Sequence, residues 1–180
     1  MDWVKIVSFV IPVSGYRKRF RRWLWKRIYG GYARRVAKVA ESCRFEGRAK
    51  LNSATEIKEG TAICGLEIVG SGRVTIGRYC RFAPEVLILT QNHDYDNGEC
   101  IPYGRKNIEK NVEISDFVWI GQRVVILPGA KIGEGAIIQA GSVVHGEIPP
   151  MAIAGGNPAK VFANRNVEHF HELKEQGRFA

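Results

Sequence analysis

The chain has few of the residues that usually carry reactive chemistry, and each shortage narrows what it can do. Four cysteines, at positions 43, 64, 80 and 100, form no CxxC or CxxH spacing. Cys64 and Cys80 fall at aliphatic core positions of the pattern described below, so the thiols read as buried and suit a reducing compartment rather than a disulfide framework. Only four histidines occur, His93, His145, His169 and His171. Zinc-binding solenoids need three ligands at one point, and His93 has no neighbouring His or Cys in the adjacent pattern apart from Cys80, so no metal site is expected. No serine sits in a strained glycine elbow and no cysteine lies beside His93, which leaves no nucleophile signature. Long hydrophobic runs are also missing: Trp3 to Val13 is eleven residues, contains Lys5 and precedes rather than follows the basic cluster. A bilayer span needs about twenty residues, so neither a span nor a signal peptide is expected.

What the chain does have is a beat of six. Ile114, Ile120, Ile126, Ile132, Ile138 and Val144 form one series, and Val112, Val118, Val124, Ala130, Ala136 and Ser142 form a second two residues ahead. A spacing of two puts both members of a pair on one side of an extended strand, and the frequent glycines mark sharp bends between short strands. A helix has period 3.6 and would not tolerate so many glycines. A short fixed period with turn residues indicates an all-β fold, a parallel β-helix of hexapeptide repeats. Earlier, Val74, Cys80 and Val86 pair with Ile76, Phe82 and Ile88, and Phe45, Leu51, Ile57 and Ile63 recur at six with a slip near Gly65. Between Ile88 and Val112 the beat stops, so residues 89–111 are expected to leave the coil as a loop supported by it. Pro149 and Pro150 are expected to end the hexads.

At 180 residues and 45% hydrophobic composition the chain suits one core. Its division is expected to be a leader, 1–44, a β-helix, 45–163, and a helical tail, 164–180, with Asn166 as the tail's N-cap. The net charge of +9 is uneven, because residues 1–50 hold 14 of the 27 Lys and Arg against Asp2, Glu41 and Glu46. Arg17, Lys18, Arg19, Arg21, Arg22, Lys26 and Arg27 alternate with Phe20, Trp23, Leu24 and Ile28, the pattern of a cationic amphipathic helix. Residues 3–28 suit either contact with anionic lipid or a cap on the open end of the solenoid, and both readings stay open. No nucleic-acid motif accompanies them, so no nucleic-acid partner is expected.

His93 lies in Asn92-His93-Asp94-Tyr95, just after a core strand ends, with Asp94, Asp96 or Glu109 available to orient its imidazole. A neutral imidazole there suits removal of a proton from an attacking hydroxyl. One base and no nucleophile fit direct transfer in a ternary complex, where positioning supplies most of the rate. His145 is expected at a solvent-facing corner, and His169 and His171 as solvated residues of the tail.

Val74-Thr75-Ile76-Gly77, Asn92-His93, Val118-Trp119-Ile120-Gly121, Pro128-Gly129, Ala140-Gly141-Ser142-Val143-Val144, Ile148-Pro149-Pro150 and Gly156-Asn157-Pro158-Ala159-Lys160, in this order, resemble the hexapeptide-repeat sugar O-acetyltransferases. These include maltose and galactoside acetyltransferases and the enzymes that decorate capsule and lipopolysaccharide. The resemblance covers roughly residues 45–163 and implies a left-handed β-helix, a homotrimer with sites between subunits, and acetyl-CoA as co-substrate. His93 matches the family's general base and Trp119 the tryptophan near the acetyl and acceptor groups, with Asn92, Asp94 and Tyr95 on the acceptor side. Gln122, Ala140, Gly141, His145, Asn157 and Lys160 match the coenzyme A wall. A sugar or glycan hydroxyl in cell-surface polysaccharide synthesis, lipid-linked or nucleotide-linked, is the expected acceptor, at a cytoplasmic location that includes the inner membrane face. An antibiotic hydroxyl, a sugar amine or a non-catalytic trimeric scaffold are the alternatives.

Overall fold

A computed structural model describes residues 14–179; the Trp3–Val13 stretch lies outside them. The chain winds as a left-handed parallel β-helix whose short strands stack on three faces. The first face carries β1 (Lys38–Val39), β4 (Thr55–Ile57), β7 (Val74–Ile76), β12 (Val112–Ile114), β15 (Lys131–Ile132) and β18 (Glu147–Ile148). The second carries β2 (Arg44–Phe45), β5 (Ala62–Ile63), β8 (Arg81–Phe82), β13 (Trp119–Ile120), β16 (Ile137–Ile138) and β19 (Ala152–Gly156). The third carries β3 (Ala49–Lys50), β6 (Leu66–Val69), β9 (Val86–Leu89), β14 (Val125–Ile126) and β17 (Val143–Val144).

The six-residue beat is the physical consequence of stacking like on like. Ile57, Ile76, Ile114, Ile132 and Ile148 stand in register on the first face. Phe45, Ile63, Phe82, Ile120 and Ile138 do so on the second, and Ile68, Ile88, Ile126 and Val144 on the third. The second series, Val112 to Ser142, is buried beside them. Each such aliphatic side chain removed from water contributes roughly 1.5–3 kcal/mol, which lets strands of two residues hold together. Glycine serves two needs in the coil. Gly141 takes φ +74° at a corner, whereas a Cβ on Gly121 would lie 2.5 Å from the Ala140 nitrogen of the next coil.

The interruption leaves the coil intact. Val74 pairs with Val112 and Ile76 with Ile114, so the intervening loop is expelled without adding a turn. It leaves as an antiparallel ribbon, β10 (Gln91–His93) with β11 (Asn107–Glu109). Buried Thr90 anchors its root: its Oγ1 accepts from the Gly72 N–H at 3.1 Å and donates to the Val69 carbonyl at 3.1 Å.

Four features differ from the sequence-based expectations. The coil begins at Lys38 in β1, ahead of Phe45, because the leader's last residues already pair with β4 and β5. Pro149 and Pro150 do not end it, since β19 stacks in parallel on β16 beyond them and buries Ala152 and Ala154; β20 (Ala159–Asn164) then turns back antiparallel on β19. Cys64 follows core residue Ile63 and is only half-buried, while Cys43 and Cys80 are buried. Burial pushes the Cys80 thiol up to about 12, which keeps it inert.

The fourth concerns the leader. Helix α1 (Ser14–Val36) covers the first coil through Tyr29, Gly30 and Ala33, and Arg34 Nη2 donates to the Glu41 carbonyl at 2.8 Å. The cap is thus made by Tyr29 and two small residues, Gly30 and Ala33. Phe20, Trp23 and Ile28 instead stand exposed, with the Arg27 guanidinium 5.5 Å from the Trp23 ring centre. At the other end α2 (Val167–Glu175) starts from Asn166, whose side chain accepts from the His169 N–H at 3.0 Å, as an N-cap should.

Candidate active site

His93 ends β10, opposite Asn107 at the outer end of the ribbon's ladder, with an exposed side chain. Its ring stacks on Tyr103 across the loop, centroids 4.0 Å apart and planes 7° from parallel. Its N–H donates to Asn92 Oδ1 at 3.0 Å, so Asn92 shapes the backbone at the histidine. None of the three acids expected to orient the imidazole bonds it among the described residues. Asp94 is buried and accepts from the Asn97 N–H at 2.9 Å, while its own N–H donates to the Lys106 carbonyl at 3.0 Å. Glu109 accepts from the Ser71 hydroxyl. Asp94 therefore braces the loop from within the turn. Tyr95 and Asp96 are exposed on the loop's outer side. Tyr103 was missed in the sequence, since a stacking partner ten residues away on an irregular loop leaves no periodic trace.

Trp119 lies on another side of the molecule. The ribbon springs from the corner between the third and first faces, whereas Trp119 projects outward from β13 on the second face. It opens into a groove of about 390 Å³ between that face and α2, and no residue of the 89–111 loop lines the groove. One chain therefore does not bring His93 and Trp119 together.

The expected coenzyme wall runs along the corner that follows the second face. Gln122, Ala140, Gly141, His145, Asn157 and Lys160 are all exposed there or on the neighbouring strands. The Gly141 N–H donates to the Gln122 carbonyl at 2.8 Å, and a Cβ on Gly141 or Gly146 would meet nothing within 4 Å. This open lane, with Lys160 as a surface cation beyond it, fits an extended pantetheine arm ending in phosphates. His145 sits at a solvent-facing corner, as expected.

Residues 111–146 match the bacterial transferase hexapeptide family, six repeats. Over these residues the chain carries the hexapeptide repeat of that family. The chain is similar to the putative lipopolysaccharide biosynthesis O-acetyl transferase WbbJ of Escherichia coli strain K12, 38% identical over 108 residues, which cover 56% of this chain and 53% of WbbJ. A chloramphenicol acetyltransferase of Klebsiella aerogenes is 33% identical over 109 residues, 52% of each chain. The chain thus spans about half the length of these relatives. The fold matches that of galactoside acetyltransferase in complex with coenzyme A with a TM-score of 0.62 and 23% identity, covering 93% of this chain and 82% of that chain.

Proposed function

We propose that the protein is an acetyl-CoA-dependent O-acetyltransferase acting on a hydroxyl of a sugar or glycan in cell-surface polysaccharide synthesis. The observation that carries this reading is His93, an exposed imidazole held flat against Tyr103 on the only excursion among the described coils. In the reaction His93 takes the proton of the acceptor hydroxyl as that oxygen attacks the thioester carbonyl. The tetrahedral adduct collapses with loss of the coenzyme A thiolate, which recovers a proton, and the acetyl ester remains on the acceptor. No covalent enzyme intermediate is required, so alignment of the two substrates supplies much of the rate. The opposed placement of His93 and Trp119 supports a homotrimer in which one copy's loop faces a neighbour's second face. The relatives' names support acyl transfer, and WbbJ's name favours a glycan over an antibiotic hydroxyl.

The test is release of free thiol from acetyl-CoA with a panel of glycan acceptors. Acceptor-dependent release is expected, with a product that mild base deacetylates. A base-stable product would mean an amide and an amine acceptor. Release with chloramphenicol alone would move the acceptor to an antibiotic, and no release with any acceptor would favour the scaffold.

The exposed face of α1 supports a location at an anionic membrane surface, on the cytoplasmic side. Phe20, Trp23 and Ile28 stand out from the solenoid within a segment of +11 charge, a combination that partitions into the headgroup region. Among the described residues no helix is long and apolar enough to cross a membrane, so the contact is peripheral. Trp23→Glu should weaken sedimentation with phosphatidylserine vesicles about ten-fold while leaving thiol release unchanged; equal sedimentation would remove the membrane role.

A further inference from the structure

The groove beside Trp119 has an unbalanced charge. Lys174, on its α2 side, is neutralised by Glu134 at 2.5 Å. Its arginines are placed differently. Arg81 Nη1 donates to the carbonyls of Gly60 at 2.7 Å and Cys80 at 2.8 Å, and Arg165 Nε donates to the Gly135 carbonyl at 2.6 Å. Neither makes an ion pair among the described residues, and no carboxylate lines the groove. Two other coil arginines do pair with acids, Arg78 with Asp116 at 2.7 Å and Arg123 with Glu85 at 2.5 Å.

Both Arg81 and Arg165 are also partly buried, and burial works against their charge. Cations held in a cleft without acids are costly unless an anion completes them. Arg178 adds a third guanidinium to the lining, and the row below Trp119 on the second face reads Arg81, Ala62, Arg44. The apolar wall is aromatic, with Phe117 and Phe179 at 5.1 Å between ring centres. Phe117 precedes β13 and Gln122 follows it, so this groove and the coenzyme corner lie at opposite edges of the face.

We infer that the groove between the second face and α2 is a subsite for an anionic acceptor, holding a sugar carboxylate or phosphate on Arg81, Arg165 and Arg178 while the ring lies on Trp119. The inference rests on the acyl-transfer reading and names its substrate class. A guanidinium held to backbone carbonyls through one of its nitrogens keeps further N–H donors in a fixed fork, the geometry that grips a planar carboxylate or a phosphate.

The test compares a glucuronate-bearing tetrasaccharide, its carboxyl-reduced neutral counterpart and a glycosyl phosphate as acceptors, for the parent, Arg81→Gln and Arg178→Gln. The parent should favour one charged acceptor over the neutral one by about ten-fold or more in kcat/KM, through the acceptor KM. The charged acceptor preferred identifies carboxylate or phosphate as the anion. Both variants should lose the preference with the KM for acetyl-CoA unmoved. Equal use of charged and neutral acceptors by the parent overturns the inference, and so does a variant that keeps the preference. A KM for acetyl-CoA that rises in the variants also overturns it, by giving the groove to the coenzyme. Should no acceptor support transfer, calorimetric binding of the tetrasaccharide and the glycosyl phosphate decides. About ten-fold weaker binding of either to Arg81→Gln than to the parent sustains the subsite without the chemistry, and no difference sinks it.

Discussion

Residues 111–146 and the loop at 89–111 are adjacent in sequence and opposite in construction. The first segment repeats one inward pair per short strand, and every one of its series residues is buried. The second buries little: Thr90 at its root, Asp94 and Gly104 are its covered residues, and Ile101 is 96% exposed. One segment is held by stacked aliphatic surface, the other by turn hydrogen bonds such as Gly104 N–H to the Asp94 carbonyl at 2.8 Å. Stability and chemistry are therefore separated in space. The coil can be rigid because it carries no reactive group, and the loop can present His93 because the coil does not depend on it.

That separation can be broken at either side. Ile126→Ala removes a fully buried ladder residue and should cost about 2–5 kcal/mol in urea unfolding, with turnover falling only as the folded fraction falls. Gly121→Ala places a Cβ 2.5 Å from backbone that cannot move aside, and about 1–3 kcal/mol is the expected loss in the same measurement. On the loop side, Asp94→Ala deletes the acceptor of the Asn97 N–H, worth about 1 kcal/mol locally. Hydrogen exchange should quicken in residues 94–106 and turnover should fall several-fold, while the unfolding midpoint stays in place. A shifted midpoint would join loop and coil into one cooperative unit.

The smallest effect is electrostatic and belongs to the coil. Burial works to raise the Asp116 carboxyl, but hydrogen bonds from the Arg78 backbone and side chain and the guanidinium charge outweigh it and hold the group below its ordinary value. A carboxyl depressed in the folded state stabilises above its unfolded pKa and loses that contribution as pH falls through the folded value. Asp116→Asn should accordingly lower Tm by about 2–4 °C at pH 7, with the gap to the parent closing below about pH 4. A gap independent of pH would assign the loss to packing.

The same contrast explains what could be read in advance. The ladder was legible because each coil repeats its neighbour's inward residues, and the site because the beat stops between Ile88 and Val112. What depends on neighbours across coils was not. Arg81 and Trp119 occupy equivalent outward positions before Phe82 and Ile120, but the expelled loop separates them by 38 residues and hides the register. Cys64 lies at the slip near Gly65, where counting by six misassigns the inward position. Which residues of α1 make the cap was not legible either, because Gly30 and Ala33, which allow the helix to approach the first coil, carry no hydrophobic signal of their own.

The most direct test of the account is a paired measurement on His93→Ala, steady-state acetyl transfer beside urea unfolding. A fall in kcat/KM of about 10²-fold or more with an unchanged unfolding midpoint is the predicted result. Full turnover, or a loss that merely follows a lowered midpoint, would contradict the claim that the break in the repeat marks the active site.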